Sequence, residues 1–382
     1  MNRIKVMPIF GTRPDAVKMA PLVKELEKYT EIETDVCVTA QHRQMLDQVL
    51  DIFKIDPHFD LNIMQDRQTL EQITSRAFLG LTELFDKSRP DIVLVHGDTT
   101  TCFASALAAF YRKIPVGHVE AGLRTFDRYS PYPEEMNRKL TGSLANLHFA
   151  PTTANKANLL NEGIGSDKIY ITGNTVIDAL KTTVSKDYVF QSEQLKSINL
   201  SGKRIITVTA HRRENLGEPL EQICLALNDI AAGYDDVEII YAVHLNPAVR
   251  ETVFRILGSN ERIHLIDPLD VQDMHNLMDR SYFIMTDSGG LQEEAPALGK
   301  PVLVLRKETE RPEAVTAGTV RLAGTDREQI KELASQLLED SIEYEHMARA
   351  VNPYGDGHAS ERIAEAILFE FGRSTEKPKE FK

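Results

Sequence analysis

Short apolar runs alternate with longer helical patterns along the first half of the chain. The runs at 4–9 and 34–38 are each followed by a pattern typical of an amphipathic helix, at 16–29 and 44–53. Such alternation predicts βαβ units around a parallel sheet. Residues 91–96 form a continuous apolar run of the kind that is buried on both faces of such a sheet. The first half is therefore predicted to be an α/β domain.

The same alternation begins again after a polar interruption at 170–200, with further strands predicted at 204–209, 237–243, 263–266, 282–286 and 301–305. Two Rossmann-like domains are therefore predicted, at 1–175 and 176–358. The last helical pattern, within 359–382, is expected to cross back to the first domain. Its charged end, 373–382, is expected to fray because Phe381 is its only large apolar residue.

Length and composition narrow the class of protein. A chain of 382 residues exceeds the size of a typical single core, about 300 residues, which also favours two domains. The 57 acidic residues outnumber the 44 basic ones, and the resulting charge of −13 argues against a nucleic-acid binder or a protein of anionic membranes. The three cysteines lack metal-type spacing, which indicates reduced thiols in a cytoplasmic protein. We expect no signal peptide or membrane span.

Polar clusters follow several predicted strands, where ligands bind in open α/β sheets. Arg13 lies in Gly-Thr-Arg-Pro directly after the first strand, and Lys18 follows about one helical turn later. The guanidinium of Arg13 is suited to a phosphate or a carboxylate. A structural reading is also open, in which Gly11 makes a turn and Pro14 lies in the first turn of a helix.

A second cluster, Asp-Ser-Gly-Gly at 287–290, precedes a predicted helix. Free N–H groups and the helix dipole would face an anion there, which predicts a diphosphate site. An ordinary N-cap explains Asp287 or Ser288, but two successive glycines weaken a helix start unless a ligand approaches closely. His-Arg-Arg-Glu at 211–214 follows another strand and supplies cationic donors, although such residues are also common on solvated faces.

Carboxylates follow two successive strands of the first half, at Asp98 and Glu120, and Pro-Glu-Glu at 133–135 comes soon afterwards. Unpaired carboxylates at buried strand ends are costly, so these residues are candidates for acid–base chemistry. Structural alternatives are that Asp98 caps its helix and that Glu135 is a surface residue. A metal site is a further alternative, although its candidates, His96, Asp98, His118 and Glu120, do not form a compact set.

Motifs over nearly the whole chain resemble those of bacterial non-hydrolysing UDP-N-acetylglucosamine (UDP-GlcNAc) 2-epimerases. The first six are Gly-Thr-Arg-Pro at 11–14, Lys-Met-Ala-Pro at 18–21, Thr-Ala-Gln-His-Arg at 39–43, His-Gly-Asp-Thr-Thr at 96–100, Gly-His-Val-Glu-Ala-Gly-Leu-Arg-Thr at 117–125 and Pro-Glu-Glu at 133–135. The others are Thr-Gly-Asn-Thr-Val-Ile-Asp at 172–178, His-Arg-Arg-Glu at 211–214, Val-His-Leu-Asn-Pro at 243–247, Asp-Ser-Gly-Gly-Leu-Gln-Glu-Glu-Ala-Pro at 287–296, Glu-Arg-Pro-Glu at 310–313 and Asn-Pro-Tyr-Gly-Asp-Gly at 352–357.

The resemblance implies a GT-B-like fold in which the second domain holds most of UDP and acids of the first domain face the sugar. The residues that it implies for UDP binding are Arg13, His211, Met274, Ser288, Gly289, Gly290, Glu294 and Arg311. The catalytic candidates that it implies are Lys18, Asp98, Glu120, Glu134 and His211. The family reaction converts UDP-GlcNAc into UDP-N-acetylmannosamine (UDP-ManNAc) by anti elimination of UDP and re-addition, without metal or other cofactor.

The family also binds UDP-GlcNAc as an activator at a second site, which implies a regulatory role for Gln41, Gln44, Arg67, Glu134, Arg212 and His244. Two positions depart from the family pattern: relatives often carry an aromatic residue in place of Met274 and glycine in place of Phe126. A homodimer and a role in supplying cell-surface polysaccharide are also implied. A GT-B glycosyltransferase, a non-catalytic UDP-sugar sensor and a hydrolysing epimerase remain open as alternatives.

Overall fold

Apolar strands and helices alternate over residues 2–382, the part of the chain that the computed structural model describes. These residues divide into two compact units. Unit 1 contains the residues up to Thr182 together with Tyr354–Lys382, and unit 2 contains Thr183–Pro353. Each unit has one β-sheet in which every strand pairing is parallel, and two Rossmann-like α/β domains are thereby confirmed.

Unit 1 carries an eight-stranded sheet with the order β4-β3-β1-β5-β6-β7-β8, and β2 also pairs with β1. Its strands are β1 Ile4–Phe10, β2 Ile32–Thr34, β3 Cys37–Val38, β4 Phe59–Asp60, β5 Ile92–His96, β6 Val116–Val119, β7 Leu147–Ala150 and β8 Ile169–Ile171. Its helices are α1 Arg13–Leu26, α2 Arg43–Phe53, α3 Leu70–Lys87, α4 Thr100–Tyr111, α5 Glu134–Leu144, α6 Thr153–Asn161, α7 Thr175–Thr183, which extends one residue into unit 2, and, after unit 2, α16 Ala359–Glu370. Every residue of β5 is buried, as the apolar pattern predicts.

The prediction of a single strand at 34–38 is wrong, because this segment contains the end of β2 and the whole of β3. β2 pairs with the start of β1, from Ile4 to Val6, whereas β3 pairs with its end, at Ile9 and Phe10. Between them Asp35 donates its N–H to the carbonyl of Val6. The two short strands β2 and β3 thus pair with successive parts of the longer strand β1.

Unit 2 carries a six-stranded sheet with the order β11-β10-β9-β12-β13-β14. Its strands are β9 Arg204–Thr209, β10 Val237–Ala242, β11 Ile263–Ile266, β12 Phe283–Thr286, β13 Val302–Val304 and β14 Val320–Leu322. Its helices are α8 Glu193–Lys196, α9 Glu218–Gly233, α10 Pro247–Leu257, α11 Val271–Arg280, α12 Gly289–Ala297, α13 Pro312–Ala317, α14 Arg327–Glu339 and α15 Ser341–Ala348. After β9 the chain adds β10 and β11 on one side of that strand, and then β12, β13 and β14 on its other side. The switch point of the strand order therefore lies between β9 and β12, and open α/β sheets bind ligands at such a point.

The unit boundaries differ from the predicted ones, 175/176 and 358/359. Asn174 donates its N–H to the carbonyl of Tyr354 at 2.6 Å, which ties the start of α7 to the segment before α16. The carboxylate of Asp178 in α7 accepts the N–H groups of Ala359 at 3.2 Å and Ser360 at 2.8 Å. Because α7 caps α16 in this way, both boundaries move toward unit 2, to 182/183 and 353/354.

The prediction that 373–382 frays is also wrong. Phe381 donates its N–H to the carbonyl of Ile171 at 2.9 Å, and Glu380 pairs with Lys156 at 2.8 Å. The ammonium group of Lys377 lies 4.7 Å from the centroid of the Tyr170 ring. Side-chain charge and backbone pairing therefore hold this polar tail against β8.

The three cysteines, Cys37, Cys102 and Cys224, are free thiols, and all three are buried. Burial raises the pKa of Cys224 to about 12, so the thiol is uncharged near neutral pH. No helix within 2–382 is long and apolar enough to cross a membrane.

Candidate active site

Gly11 directly follows β1, at a point where a neighbouring loop comes very close. A Cβ atom at this position would lie 1.9 Å from Thr39 Oγ1, so no other residue fits without a shift. Thr12 then caps α1 through a reciprocal capping box with Asp15, and Arg13 is the first residue of the helix. The predicted turn and helix start are therefore both present, and they place the half-buried Arg13 at the carboxyl end of β1.

Glu120 is the most constrained of the candidate acids. It follows β6 with φ at +60°, a left-handed conformation that residues with a Cβ rarely adopt. Lys18 donates to its carboxylate, Asn174 Nδ2 donates at 3.2 Å and His96 Nε2 lies 3.1 Å away. Burial alone would raise the pKa of Glu120, but the charge of Lys18 and then that of His96 hold this pKa well below its ordinary value. Glu120 is therefore an ionised carboxylate with fixed partners.

Asp98 follows β5 and forms an ion pair with Arg138 of α5. Its Oδ2 lies 2.7 Å from Nη2 of Arg138 and accepts from Nε at 2.9 Å. The hydroxyl of Thr99 caps α4 by accepting from the N–H of Cys102, so the alternative reading of Asp98 as the helix cap is wrong. The carboxylate of Asp98 is thus held by a cation of another helix and is partly open to solvent.

The two glutamates at 134 and 135 differ in their surroundings. Glu134 is the first residue of α5 and is half-buried, whereas Glu135 is only 4% exposed. Glu135 accepts the N–H groups of Thr125 at 3.0 Å and Phe126 at 3.1 Å. The surface reading of Glu135 is therefore wrong: its side chain braces the loop that follows Glu120.

His118, one member of the suggested metal set, contacts the backbone. His118 Nε2 lies 2.7 Å from the carbonyl oxygen of Gly97, the residue before Asp98. Burial lowers the pKa of His118 to about 3, so it is a neutral donor that fixes this turn. Within residues 2–382 no three side chains of His, Cys, Asp or Glu are grouped as metal ligands.

In unit 2, the helix α12 begins at the switch point of the sheet, directly after Ser288. Gly289 and Gly290 form its first turn, where N–H groups have no partner within the helix. A Cβ atom at Gly289 would lie 3.8 Å from the guanidinium of Arg311, and one at Gly290 would lie 3.2 Å from Glu294 Oε1. The predicted nucleotide residues Ser288, Gly289, Gly290, Glu294 and Arg311 are therefore neighbours.

Buried partners hold the two charged members of this group. Arg311 donates from Nε to Glu293, which is 1% exposed. Glu294 Oε2 lies 3.2 Å from Nε2 of the buried His275, whose Nδ1 lies 2.6 Å from the hydroxyl of Thr183. These contacts fix both side chains before any ligand binds. Met274, beside His275 in the sequence, is half-buried and packs against the apolar cluster around Phe190.

His211 follows β9, the neighbour of β12 across the switch point. Its ring stacks on that of His244, with centroids 5.0 Å apart and an angle of 8° between the planes. The backbone N–H groups of His211 and Arg212 both donate to the buried Asp287, at 2.7 and 2.8 Å. The structure thus brings together His211, Arg212 and His244.

The other residues of the suggested regulatory site belong to unit 1. Gln41 is 9% exposed, and its side-chain oxygen accepts from the hydroxyl of Thr101 at 3.0 Å. Gln44 is exposed in the first turn of α2. Arg67 is exposed with φ at +52°, and the adjacent Gln68 donates from Nε2 to the carbonyl of Gln41 at 3.2 Å. Gln41 and the loop carrying Arg67 are therefore directly linked.

Several buried side chains that hold the site were missed by the sequence reasoning: Asp15, Arg138, Asn174, His275 and Glu293. Arg138 follows the Pro-Glu-Glu motif by one helical turn, and Glu293 and Asn174 lie inside motifs that were recognised. For Asn174 and Glu293 the signal was their position inside those motifs.

Comparison with known proteins shows the family to which the chain belongs. Residues 24–368 match the family model described as UDP-N-acetylglucosamine 2-epimerase. The chain belongs to the UDP-N-acetylglucosamine 2-epimerase family. The enzyme of that name from Bacillus subtilis is 60% identical over 381 residues, which cover 100% of this chain and 99% of the relative.

Solved structures of the family are similar over nearly the whole chain. That of UDP-GlcNAc 2-epimerase from Neisseria meningitidis bound to UDP-GlcNAc is 51% identical, covers 96% of this chain and 100% of its own, and has a TM-score of 0.86. That of the Methanocaldococcus jannaschii enzyme in complex with UDP-GlcNAc and UDP is 34% identical, with the same coverage and a TM-score of 0.78. The predicted family and GT-B-like fold class are confirmed.

Phe126 lies at a strained position, because residues with a Cβ rarely adopt its φ of +65°. Its side chain is 74% exposed, so few contacts depend on it. Phe126→Gly is expected to stabilise unit 1 by about 0.5–1 kcal/mol, since glycine adopts this conformation without a steric cost. Thermal unfolding followed by circular dichroism measures the change. The control is Tyr129→Gly in the same loop, 71% exposed but without a left-handed φ, which is expected to destabilise. Equal losses of stability in both variants would contradict the assignment of strain to Phe126.

Proposed function

We propose that this chain is a non-hydrolysing epimerase that interconverts UDP-GlcNAc and UDP-ManNAc at C2 of the sugar. The observation that carries the proposal is the pair of acids at the carboxyl ends of the neighbouring strands β5 and β6. Asp98 and Glu120 are each paired with a cation, at Arg138 and Lys18. A cation holds each carboxylate in a fixed direction, where it can accept or return a proton once the departure of UDP has made the C2 proton acidic.

The reaction begins with loss of UDP. The bond between C1 and the β-phosphate oxygen breaks, and its electron pair leaves on that oxygen. The C2–H bond gives its electron pair to a new C1=C2 double bond, and the proton passes to a carboxylate. Re-addition reverses these changes after a proton has reached C2 from the other face, so that atoms and electrons balance without any redox cofactor.

The pairing of the acids favours early departure of UDP. An ionised Glu120 with a lowered pKa is too weak a base to remove an unactivated C2 proton. Cleavage of the C1–O bond first, or at the same time, makes that proton acidic. The groups that stabilise the leaving diphosphate then provide most of the lowering of the activation barrier.

Unit 2 offers donors for that purpose. We assign the diphosphate to His211, Ser288, Gly289 and Gly290, where the start of α12 supplies N–H groups, and the sequence resemblance adds Arg13. Arg311 completes the nucleotide contacts, and the carboxylate of Glu294 is suited to accept ribose hydroxyls. Met274 is assigned to the base, which its apolar and polarizable side chain can cover. Ligands of the Neisseria and Methanocaldococcus relatives support the choice of UDP-sugar.

Purified protein incubated with UDP-GlcNAc alone is expected to form UDP-ManNAc, because the carboxylates and donors complete the reaction without an added metal or nicotinamide. Proton NMR in D₂O measures both sugars and the incorporation of deuterium at C2. A chelator is expected to leave the rate unchanged. Free N-acetylmannosamine as the main product would indicate a hydrolysing enzyme, and no reaction without an acceptor would favour a glycosyltransferase.

Asp98→Asn and Glu120→Gln are expected to lower kcat by about 100-fold or more, since each removes a proton-transfer group, and to leave Kd for UDP nearly unchanged. Discontinuous assays of product formation measure kcat, and calorimetry measures Kd for UDP. Glu370→Gln is the control, because it removes an ion pair with Lys168, next to the amino end of β8, and is expected to keep full turnover. If UDP affinity falls in proportion to kcat, the two acids are nucleotide-binding or structural residues.

We further propose that UDP-GlcNAc activates the enzyme at a second site. The sequence resemblance assigns to this site Gln41, Gln44, Arg67, Glu134, Arg212 and His244, which offer amide, carboxylate and cationic groups. Coupling between the second site and the catalytic candidate His211 has a physical basis. His244 stacks on His211, and the N–H groups of Arg212 and His211 both donate to Asp287. A ligand that fixes this cluster would therefore act on His211. The assignment of Glu134 to both sites remains part of the proposal.

Pure UDP-ManNAc is expected to react slowly until UDP-GlcNAc accumulates, and added UDP-GlcNAc should accelerate the reaction by about 5-fold or more, because both ligands favour one state. Gln44→Ala should reduce this acceleration without weakening UDP binding. Gln48→Ala, an exposed change in the same helix α2, is the control and should keep it. Progress curves without a lag in the wild-type protein would rule out activation.

The resemblance also supports a homodimer in the cytoplasm that supplies N-acetylmannosamine for surface polysaccharide. Leu79 of α3 and Phe110 and Tyr111 of α4 are more than half exposed, and these helices are neighbours. Exposed apolar side chains of this size favour a contact between copies of the chain. Sedimentation velocity measures the oligomeric state directly.

A further inference from the structure

His211 is held on two sides. Its ring stacks on His244, and its Nδ1 lies 3.6 Å from Oδ1 of Asp287. The side chain is 37% exposed, so a ligand can reach it. Since Nδ1 faces Asp287, Nε2 is the ring nitrogen left to face that ligand.

The two oxygens of Asp287 have different surroundings, although the residue is fully buried. Oδ2 accepts the N–H groups of His211 at 2.7 Å and Arg212 at 2.8 Å, and it accepts from Asn215 Nδ2 at 3.0 Å. Oδ1 is buried and accepts no hydrogen bond from any residue of the described range 2–382. A buried carboxylate oxygen without a hydrogen bond is costly, and a proton on Nδ1 of His211, 3.6 Å away, would satisfy it after a small approach of the ring.

We propose that Asp287 is a positioning residue that keeps the proton of His211 on Nδ1 and stabilises the imidazolium form as UDP leaves. The assignment rests on the proposed function of His211. An imidazolium ring donates from both nitrogens, to Asp287 through Nδ1 and to the leaving diphosphate through Nε2. Three bonds on Oδ2 fix the direction of Oδ1, so the carboxylate needs no rearrangement at the moment of reaction.

The other groups that face His211 set its charge before substrate binds. Burial lowers the pKa of His211, and His244 and Arg212 lower it further, whereas Asp287 and Glu214 raise it. A neutral ring is therefore expected in the free protein near pH 7. The negative charge of the bound diphosphate then favours protonation, which Asp287 makes possible.

Asp287→Asn tests the assignment. The three donors at Oδ2 hold the amide oxygen there, so the amide NH₂ points at His211 and donates to Nδ1. The proton of the neutral ring is then expected on Nε2, and titration of the ring should move to lower pH. Nitrogen-15 NMR of histidine-labelled full-length protein measures both, with His211→Gln for assignment. We expect kcat to fall by about 100-fold and KM for UDP-GlcNAc to change less.

Asn215→Ala is the matched control, because it removes a donor at Oδ2 and leaves Oδ1 and His211 in place. It is expected to lower thermal stability but keep the proton on Nδ1. The proposal is overturned if Asn215→Ala moves the proton as Asp287→Asn does, or if Asp287→Asn moves nothing. Neutral wild-type His211 with its proton on Nε2 also overturns it, even where a variant does not fold. The expected NMR changes in a protein without epimerase activity would support the positioning and reject the proposed function.

Discussion

Parallel pairing of apolar strands is the constraint on which the rest of this protein depends. Every strand pairing in both sheets is parallel, so all strands of a sheet end at the same edge. Strands such as β5 are buried along their whole length and are mostly apolar. Polar residues are therefore concentrated just beyond the carboxyl ends of the strands, where Arg13, Asp98 and Glu120 in unit 1 and His211 in unit 2 are found.

Charges at these strand ends are buried only with partners. Glu120 has Lys18, and Asp98 has Arg138. Asp287 has two backbone N–H groups and an amide. Such compensation lowers the cost of burial, and it also fixes the direction of each group before a ligand arrives. The left-handed backbone conformation at Glu120 also fixes the direction of its side chain. Such a strained conformation persists only because the surrounding contacts compensate for its cost.

The two units differ in the chemistry that they offer. Unit 1 presents carboxylates that are paired with cations and can accept a proton. Unit 2 presents N–H groups of a glycine-rich helix start, the guanidinium of Arg311 and the imidazole of His211. This division matches the two needs of the proposed elimination, which are proton transfer at a sugar carbon and stabilisation of a leaving diphosphate.

The sequence by itself determined the features that depend on local pattern. Alternation of apolar runs and helical periodicity predicted two parallel α/β domains, and motif order predicted the family. Neighbours in the fold that are distant in the chain were decided only by tertiary structure. The sequence contains Asp178 and Ala359, Glu135 and Phe126, and Phe381 and Ile171, but nothing local indicates that they meet. The unit boundaries, the burial of Glu135 and the docked tail were mispredicted for that reason. The pairing of Asp287 with His211 is of the same kind, because it arises from β9 and β12 lying side by side in the sheet, and strand order is a property of the folded chain.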